Sequence, residues 1–311
     1  MSRRHGQNDV EMLYNEIKVL RKELSSRETK VTRRRATGAR MLELLSSEKN
    51  RKKLGEHAIN AAMLRGQSHT KAKRYAITVL WTPIIQSAFA SAEKLVNDGK
   101  CKLTADDVKL PLRLLHCSDK SLEGSRVKIE STCKLSKRSV KRIFTFCNDM
   151  LENDEARQLA EMEILNTLIF LCERVDYIAY LEVADLLGIL ATAEGGLFRE
   201  ESDISAASAR IFGAALESAT ELGIGLHLFI ATGTKMIAKW CKKHMEDASN
   251  SPREQGDLFR GLTAMCRAHP GQAIKPLTKF GRYILNFAKR SYQNATKSNR
   301  HAIHGYLIAH M

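Results

Sequence analysis

A chain of 311 residues with 43% hydrophobic side chains can bury a sizeable core, either as about two domains or as one elongated repeat array. Five prolines and 6% aromatics are too few for a sandwich or barrel, whose turns and strands draw on proline, aromatic and β-branched residues. The net charge of +15 falls in blocks: +7 over 1–60, +9 over 61–150, −11 over 151–222 and +10 over 223–311, a pattern that speaks of charged partners and not of fold.

At the start, Val10, Leu13, Ile17, Leu20 and Leu24 recur in steps of three and four and predict one stripe on a helix. Ser25 and Ser26 are expected to cap a second helix, because a serine oxygen accepts from free amides of the next turn. That helix carries Val31, Leu42 and Leu45 on one side and Arg33, Arg34 and Arg35 on its flank, giving an antiparallel pair with a basic edge. A short amphipathic segment with Ala58, Ala61, Ala62 and Leu64 runs to a joint at Gly66. The spacing then predicts a long helix over about 71–97, with Tyr75, Val79, Ile85, Phe89, Ala92 and Val96 available for burial. Pro83 lacks an amide donor and predicts a kink or break near Trp81. Thr104 to Asp107 is a start signal, with a hydroxyl cap and acids in the first turn.

Further along, Val140, Ile143, Phe144, Cys147, Met150 and Leu151 are helically spaced, with Lys137, Arg138, Lys141 and Arg142 opposite. Asn153 and Asp154 are expected to cap a helix containing Leu159, Met162, Leu165, Ile169 and Cys172. Another is predicted from Asp176 through Leu190, ended by Gly195 and Gly196. Ser202 and Asp203 start the next, whose Ala206, Ala209, Phe212, Leu216 and Ala219 suit close packing. A single helix is expected over 222–245, lying between two neighbours. Its uncharged run from Leu222 to Thr234 is too short to span a bilayer. Pro252 marks a helix start, and two more segments, about 255–268 and 272–290, lead to an apolar ending over 302–311.

The residues Leu24, Arg34, Arg35, Leu42, Leu44, Leu45 and Leu54 together resemble the N-terminal motif of the telomere-length-maintenance and DNA-damage-repair kinases, the family of the ataxia-telangiectasia-mutated (ATM) checkpoint kinase within the phosphatidylinositol-3-kinase-related protein kinases. A leucine closes helix one, a basic opening and a leucine pair mark helix two, and a further leucine follows nine positions on. The family places an acidic residue just before its basic pair, where this chain has Thr32 and Arg33. The resemblance implies a nuclear protein of the double-strand-break response and telomere maintenance. Its N-terminal solenoid receives regulatory protein partners, and serine/threonine phosphotransfer belongs to a distant C-terminal domain. It leaves open a homodimer of the full-length protein.

The expected fold is therefore all-α: a HEAT-like solenoid of antiparallel helix pairs, cut from a longer array, with a basic helix-pair motif over 1–66 and helical repeats over 67–152 and 153–311. A compact irregular helical domain is the alternative fold, and a free-standing helical-repeat adaptor unrelated to a kinase is the alternative function. No kinase glycine loop, Gly-x-x-x-x-Gly-Lys-Ser/Thr or His-Glu-x-x-His pattern occurs, so no catalytic residue and no cofactor are assigned. The pairs Cys241/His244 and His301/His304 lack the further ligands a zinc site needs. Seven cysteines, none closer than fourteen positions to another, read as reduced buried thiols, and the polar opening predicts no secretory leader. The candidate partner-binding residues are Arg33, Arg34, Arg35, Lys49, Arg51, Lys52 and Lys53. Arginine matches phosphate bidentately, and such an edge would meet DNA by non-specific electrostatics, an acidic segment or an import receptor. No membrane contact is expected.

Overall fold

The computed structural model describes residues 2–26, 28–98, 102–120, 135–224, 226–244, 252–268, 279, 281–289 and 304. The described residues form helices and the short joints between them, with no strand, so the fold is all-α. The chain divides into two compact units, Met1–Ile164 and Leu165–Met311.

The first unit opens with α1 (Ser2–Ser25), α2 (Val31–Ser46) and α3 (Glu48–Met63). Helices α1 and α2 are antiparallel, because Glu16 pairs with Arg40 and Glu23 with Arg33. Ser25 and Ser26 do not cap α2. The Ser25 hydroxyl donates back to the Arg21 carbonyl at 2.8 Å, and the Ser26 amide donates to the Lys22 carbonyl at 3.0 Å, so both close α1. Helix α2 starts after Lys30 without a side-chain cap, while α3 is capped by Ser47, which accepts from the Asn50 amide. The α3 helix buries Leu54 and Ala62 and stops before the left-handed Gly66, but Leu64 is exposed and not part of the core.

Helix α4 (His69–Asp98) runs on through Pro83 with no break at Trp81. Loss of one amide donor is tolerated there because Leu80, Trp81, Ile84, Ile85, Ala88 and Phe89 are buried around it. Val79, expected inside, is exposed. Helices α5 (Ala105–Lys120), α6 (Lys137–Glu152) and α7 (Asp154–Cys172) follow. Phe89 of α4 meets Phe146 of α6 edge-on at 5.0 Å, and Asn153 caps α7 by accepting from the Ala156 amide at 2.9 Å.

The second unit contains the end of α7, then α8 (Val175–Ile178), α9 (Val183–Leu197), α10 (Ser202–Leu222), α11 (Leu226–Lys243), α12 (Pro252–Ala268) and α13 (281–289). The helix expected over 176–190 is broken, because Glu182 and Asp185 form a capping box that opens a new helix. The helix expected over 222–245 forms as α11 but starts later, at Leu226, because Leu222 belongs to the end of α10. Gly223 adopts φ +66°, a left-handed cap that a glycine takes without the penalty a Cβ would carry. Lys239 reaches Glu194 and Lys243 reaches the Phe198 carbonyl, so α9 and α11 run parallel, each packed on α10. Helices α10 and α12 cross closely, with the backbone of Gly213 against that of Asp257. Phe212, Leu216, Trp240, Phe259 and Phe287 are buried, and Trp240 meets Phe287 at 5.2 Å. Each unit, taken by itself, is a stack of packed helices, a solenoid-like organisation. The apolar ending over 302–311 lies outside the described residues except for His304, as does most of 272–280.

Candidate interaction surface

The N-terminal hairpin converts its sequence pattern into two layers. Leu24, Leu45 and Leu54 are fully buried, Leu44 nearly so, and Leu42 is half-buried. The inward stripe of α2 is Arg34, Thr37, Gly38, Met41, Leu44 and Leu45, spaced by three and four. Arg34 therefore belongs to the interior and not to the basic edge. Its guanidinium donates to the Ser26 carbonyl at 2.9 Å and the Thr29 carbonyl at 3.3 Å, tying the α1–α2 joint to α2. Hydrogen bonds from a charged donor contribute about 1.5–3 kcal/mol each to stability. Arg34→Ala is thus expected to lower the stability of the first unit by about 2 kcal/mol, read from the midpoint of chemical denaturation. An unchanged midpoint would reject this role.

Arg35 is also committed. Its Nε donates to Asp107 Oδ1 at 2.9 Å, and its terminal nitrogen donates to Asp107 Oδ2 at 2.7 Å and to the Lys102 carbonyl at 2.9 Å. The same carboxylate accepts from the Thr104 amide and hydroxyl at the start of α5. The Thr104 hydroxyl, expected to accept at this cap, donates instead. Burial alone would push the Asp107 carboxyl up, but the Arg35 and Thr104 hydrogen bonds outweigh it and hold the group below its ordinary value. Arg33 is exposed and pairs with Glu23, whose carboxyl is lowered by Arg33 first and by the Thr37 hydroxyl second. Glu23 thus supplies to α2, from α1, the acidic partner that the sequence just before the basic pair lacks.

Arg51 is half-buried and donates to the Leu45 carbonyl at 2.8 Å and the Ser46 carbonyl at 2.6 Å, closing the end of α2. Of the seven predicted binding residues, Lys49 and Lys52 are exposed and Lys53 is half-buried, and none of the three has an ion pair among the described residues. These lysines, in the first two turns of α3, are what remains of the basic edge, since Arg33 stands at the opposite end of α2 and is paired with Glu23. Which arginines turn inward does not show in the sequence, since polar side chains at buried positions are invisible to a count of apolar periodicity.

Cys147, Cys172, Cys241 and Cys266 are buried and Cys117 is half-buried. Burial pushes the Cys266 thiol up to about 11 and raises Cys172 and Cys241 further. Cys101 and Cys133 lie outside the described residues. Among the described residues no group of three or more His, Cys, Asp or Glu side chains is placed to hold a metal ion, and no helix is long and apolar enough to cross a membrane. No family model, no curated protein and no solved structure matches the chain.

Proposed function

We propose that this chain is an N-terminal scaffold segment of a protein similar to the ATM-type serine/threonine checkpoint kinases, recruiting partners or DNA in the double-strand-break response and telomere maintenance. The observation that supports the reading is that Leu24, Arg34, Leu44, Leu45 and Leu54 are all buried within the first three helices. Every member of that group has a packing reason to be the residue it is. The role proposed is holding and not transforming, located in the nucleus and independent of any cofactor in this chain.

A second feature supports a partner-binding edge. Lys49 and Arg51 fall in the first turn of α3, where the helix dipole disfavours cations by about 0.3–1 kcal/mol each. Arg51 recovers this through its carbonyl contacts, whereas Lys49 has no such compensation among the described residues. A polyanion would supply it.

Replacing Lys49, Lys52 and Lys53 together by Gln tests the edge without disturbing Arg34 or Arg35. For duplex DNA, the slope of log affinity against log salt is expected to flatten by roughly 2–3, about 0.9 for each phosphate no longer neutralised. An unaltered slope would remove the edge from the reading. The kinship itself is tested by sequencing the transcript across the Met311 codon. Continuation into helical repeats and a kinase domain is expected, and a stop codon there would favour a free-standing adaptor.

A further inference from the structure

The second unit carries a cationic surface that the motif does not include. From Leu258 to Met311 the chain has nine Lys and Arg residues and not one Asp or Glu, and α11 adds four lysines, again with no acid. The fold brings the described parts of these segments together. Trp240 of α11 packs on Phe287 of α13, and the Lys242 ammonium lies 6.0 Å from the centre of the Tyr283 ring. Lys242 and Tyr283 are both exposed, so the outward faces of α11 and α13 meet at this seam.

Along α11 the outward residues include Leu228, Ala231, Lys235, Lys239 and Lys242, spaced by three and four, with Lys243 exposed next to the last. On α13 they include Arg282 and Lys289, seven positions apart and therefore on one side of the helix. Among the described residues one carboxylate faces the group: Glu194 of α9 takes Lys239 at 3.1 Å. Lys243 donates to the Phe198 carbonyl at 3.1 Å. Lys235, Lys242, Arg282 and Lys289 have no carboxylate partner among the described residues. Like charges that outnumber their counter-charges repel one another and weaken the compact state, a cost that a bound polyanion removes.

We propose that the outward face of α11 and α13 binds the phosphate backbone of nucleic acid without reading its sequence. The stripe from Lys235 to Lys242 is about 10 Å long at 1.5 Å per residue, the axial rise of roughly three nucleotides on one strand of a duplex. The cations stand on a convex helical face, where a continuous polyanion meets several at once. An acidic peptide held for its sequence would need pockets for its side chains, and this ridge of lysines supplies point charges only. A membrane surface is the poorer match, because interfacial helices present their apolar face outward. Here Met236, Ile237, Trp240 and Cys241 are buried within the unit, and among the described residues of α11 and α13 only Leu228 and Tyr283 stand outside as large apolar groups.

The test uses the full chain and a fluorescently labelled duplex, with anisotropy titrations between about 50 and 200 mM salt. Replacing Lys235, Lys242 and Arg282 by Gln is expected to flatten the salt slope by roughly 2–3, and Lys289→Gln alone by about 1, with the helical circular dichroism of the native chain retained. An unchanged slope in both variants overturns the proposal. So does tighter binding to a polyglutamate peptide or to phosphatidylserine vesicles than to the duplex, lost in the same variants. This surface is independent of the N-terminal edge: flattening by the Lys49, Lys52 and Lys53 replacements alone would sink this proposal and leave that one standing, and the opposite result would do the reverse.

Discussion

Gly213→Val should destabilise the second unit by about 3 kcal/mol, the upper end of the range for forcing extra carbons into a packed interior. At the crossing of α10 and α12 a Cβ on residue 213 would lie well inside van der Waals distance of the Asp257 backbone carbonyl. A flexible side chain can swing aside, but a helix backbone cannot, so the two helices would have to separate. The crossing has no slack nearby, because a Cβ on Gly261 would itself stand 3.1 Å from the Gly213 carbonyl. Gly55→Ala in α3 supplies the contrast. Nothing lies within 4 Å of the added carbon there, so the substitution should stabilise by about 0.5–1 kcal/mol through backbone entropy alone. Urea denaturation of both variants reads the opposite signs directly. A neutral Gly213→Val would mean that α10 and α12 do not approach as closely as the geometry requires.

Arg35→Ala is expected to cost the first unit about 2 kcal/mol at neutral pH. Removing one partner of a buried ion pair costs about 3–5 kcal/mol because the other charge stays behind, and the partly exposed Arg35 guanidinium brings the figure down. Asp107 is the charge left behind, with 2% of its side chain exposed. The pH dependence follows from the direction of its shift. A carboxyl held below its ordinary value in the folded chain contributes stability that is fully present above the unfolded value. That contribution is lost as pH falls through the folded value. The gap between native and Arg35→Ala stabilities should therefore be widest at neutral pH and close on acidification. A gap that stayed constant to low pH would show that Arg35 acts through packing instead of charge.

What the sequence made legible was periodicity. Val140, Ile143, Phe144, Cys147 and Met150 sit buried on α6 at the predicted spacing, and Pro252 opens α12. Of the close-packing face read from Ala206, Ala209, Phe212, Leu216 and Ala219, all but the half-buried Ala206 are buried in α10. Boundaries were less legible, because they depend on competing local hydrogen bonds. Ser25 has two ways to use its hydroxyl, and the α1 carbonyls win over the α2 amides. Gly223 and the Glu182–Asp185 box end and begin helices inside stretches whose apolar spacing runs on unbroken.

The candidate site was half legible for a different reason. Seven basic residues near the N-terminus looked alike in sequence, yet Arg34, Arg35 and Arg51 serve the joint, the start of α5 and the end of α2. Their length lets the guanidinium reach inward to carbonyls and carboxylates that only the fold brings near, while Lys49 and Lys52 stay outside. On the second unit the signal was present as missing carboxylates, and net charge by block recorded it without saying which helix faces would share it.

The buried cysteines give the interior a chemical character of its own. Attack on oxidants and electrophiles requires the thiolate, and at Cys172 and Cys241 burial suppresses that species throughout the physiological range. As long as their helices stay closed, these sulfurs behave as hydrocarbon would, and a cell under oxidative stress finds no handle on them.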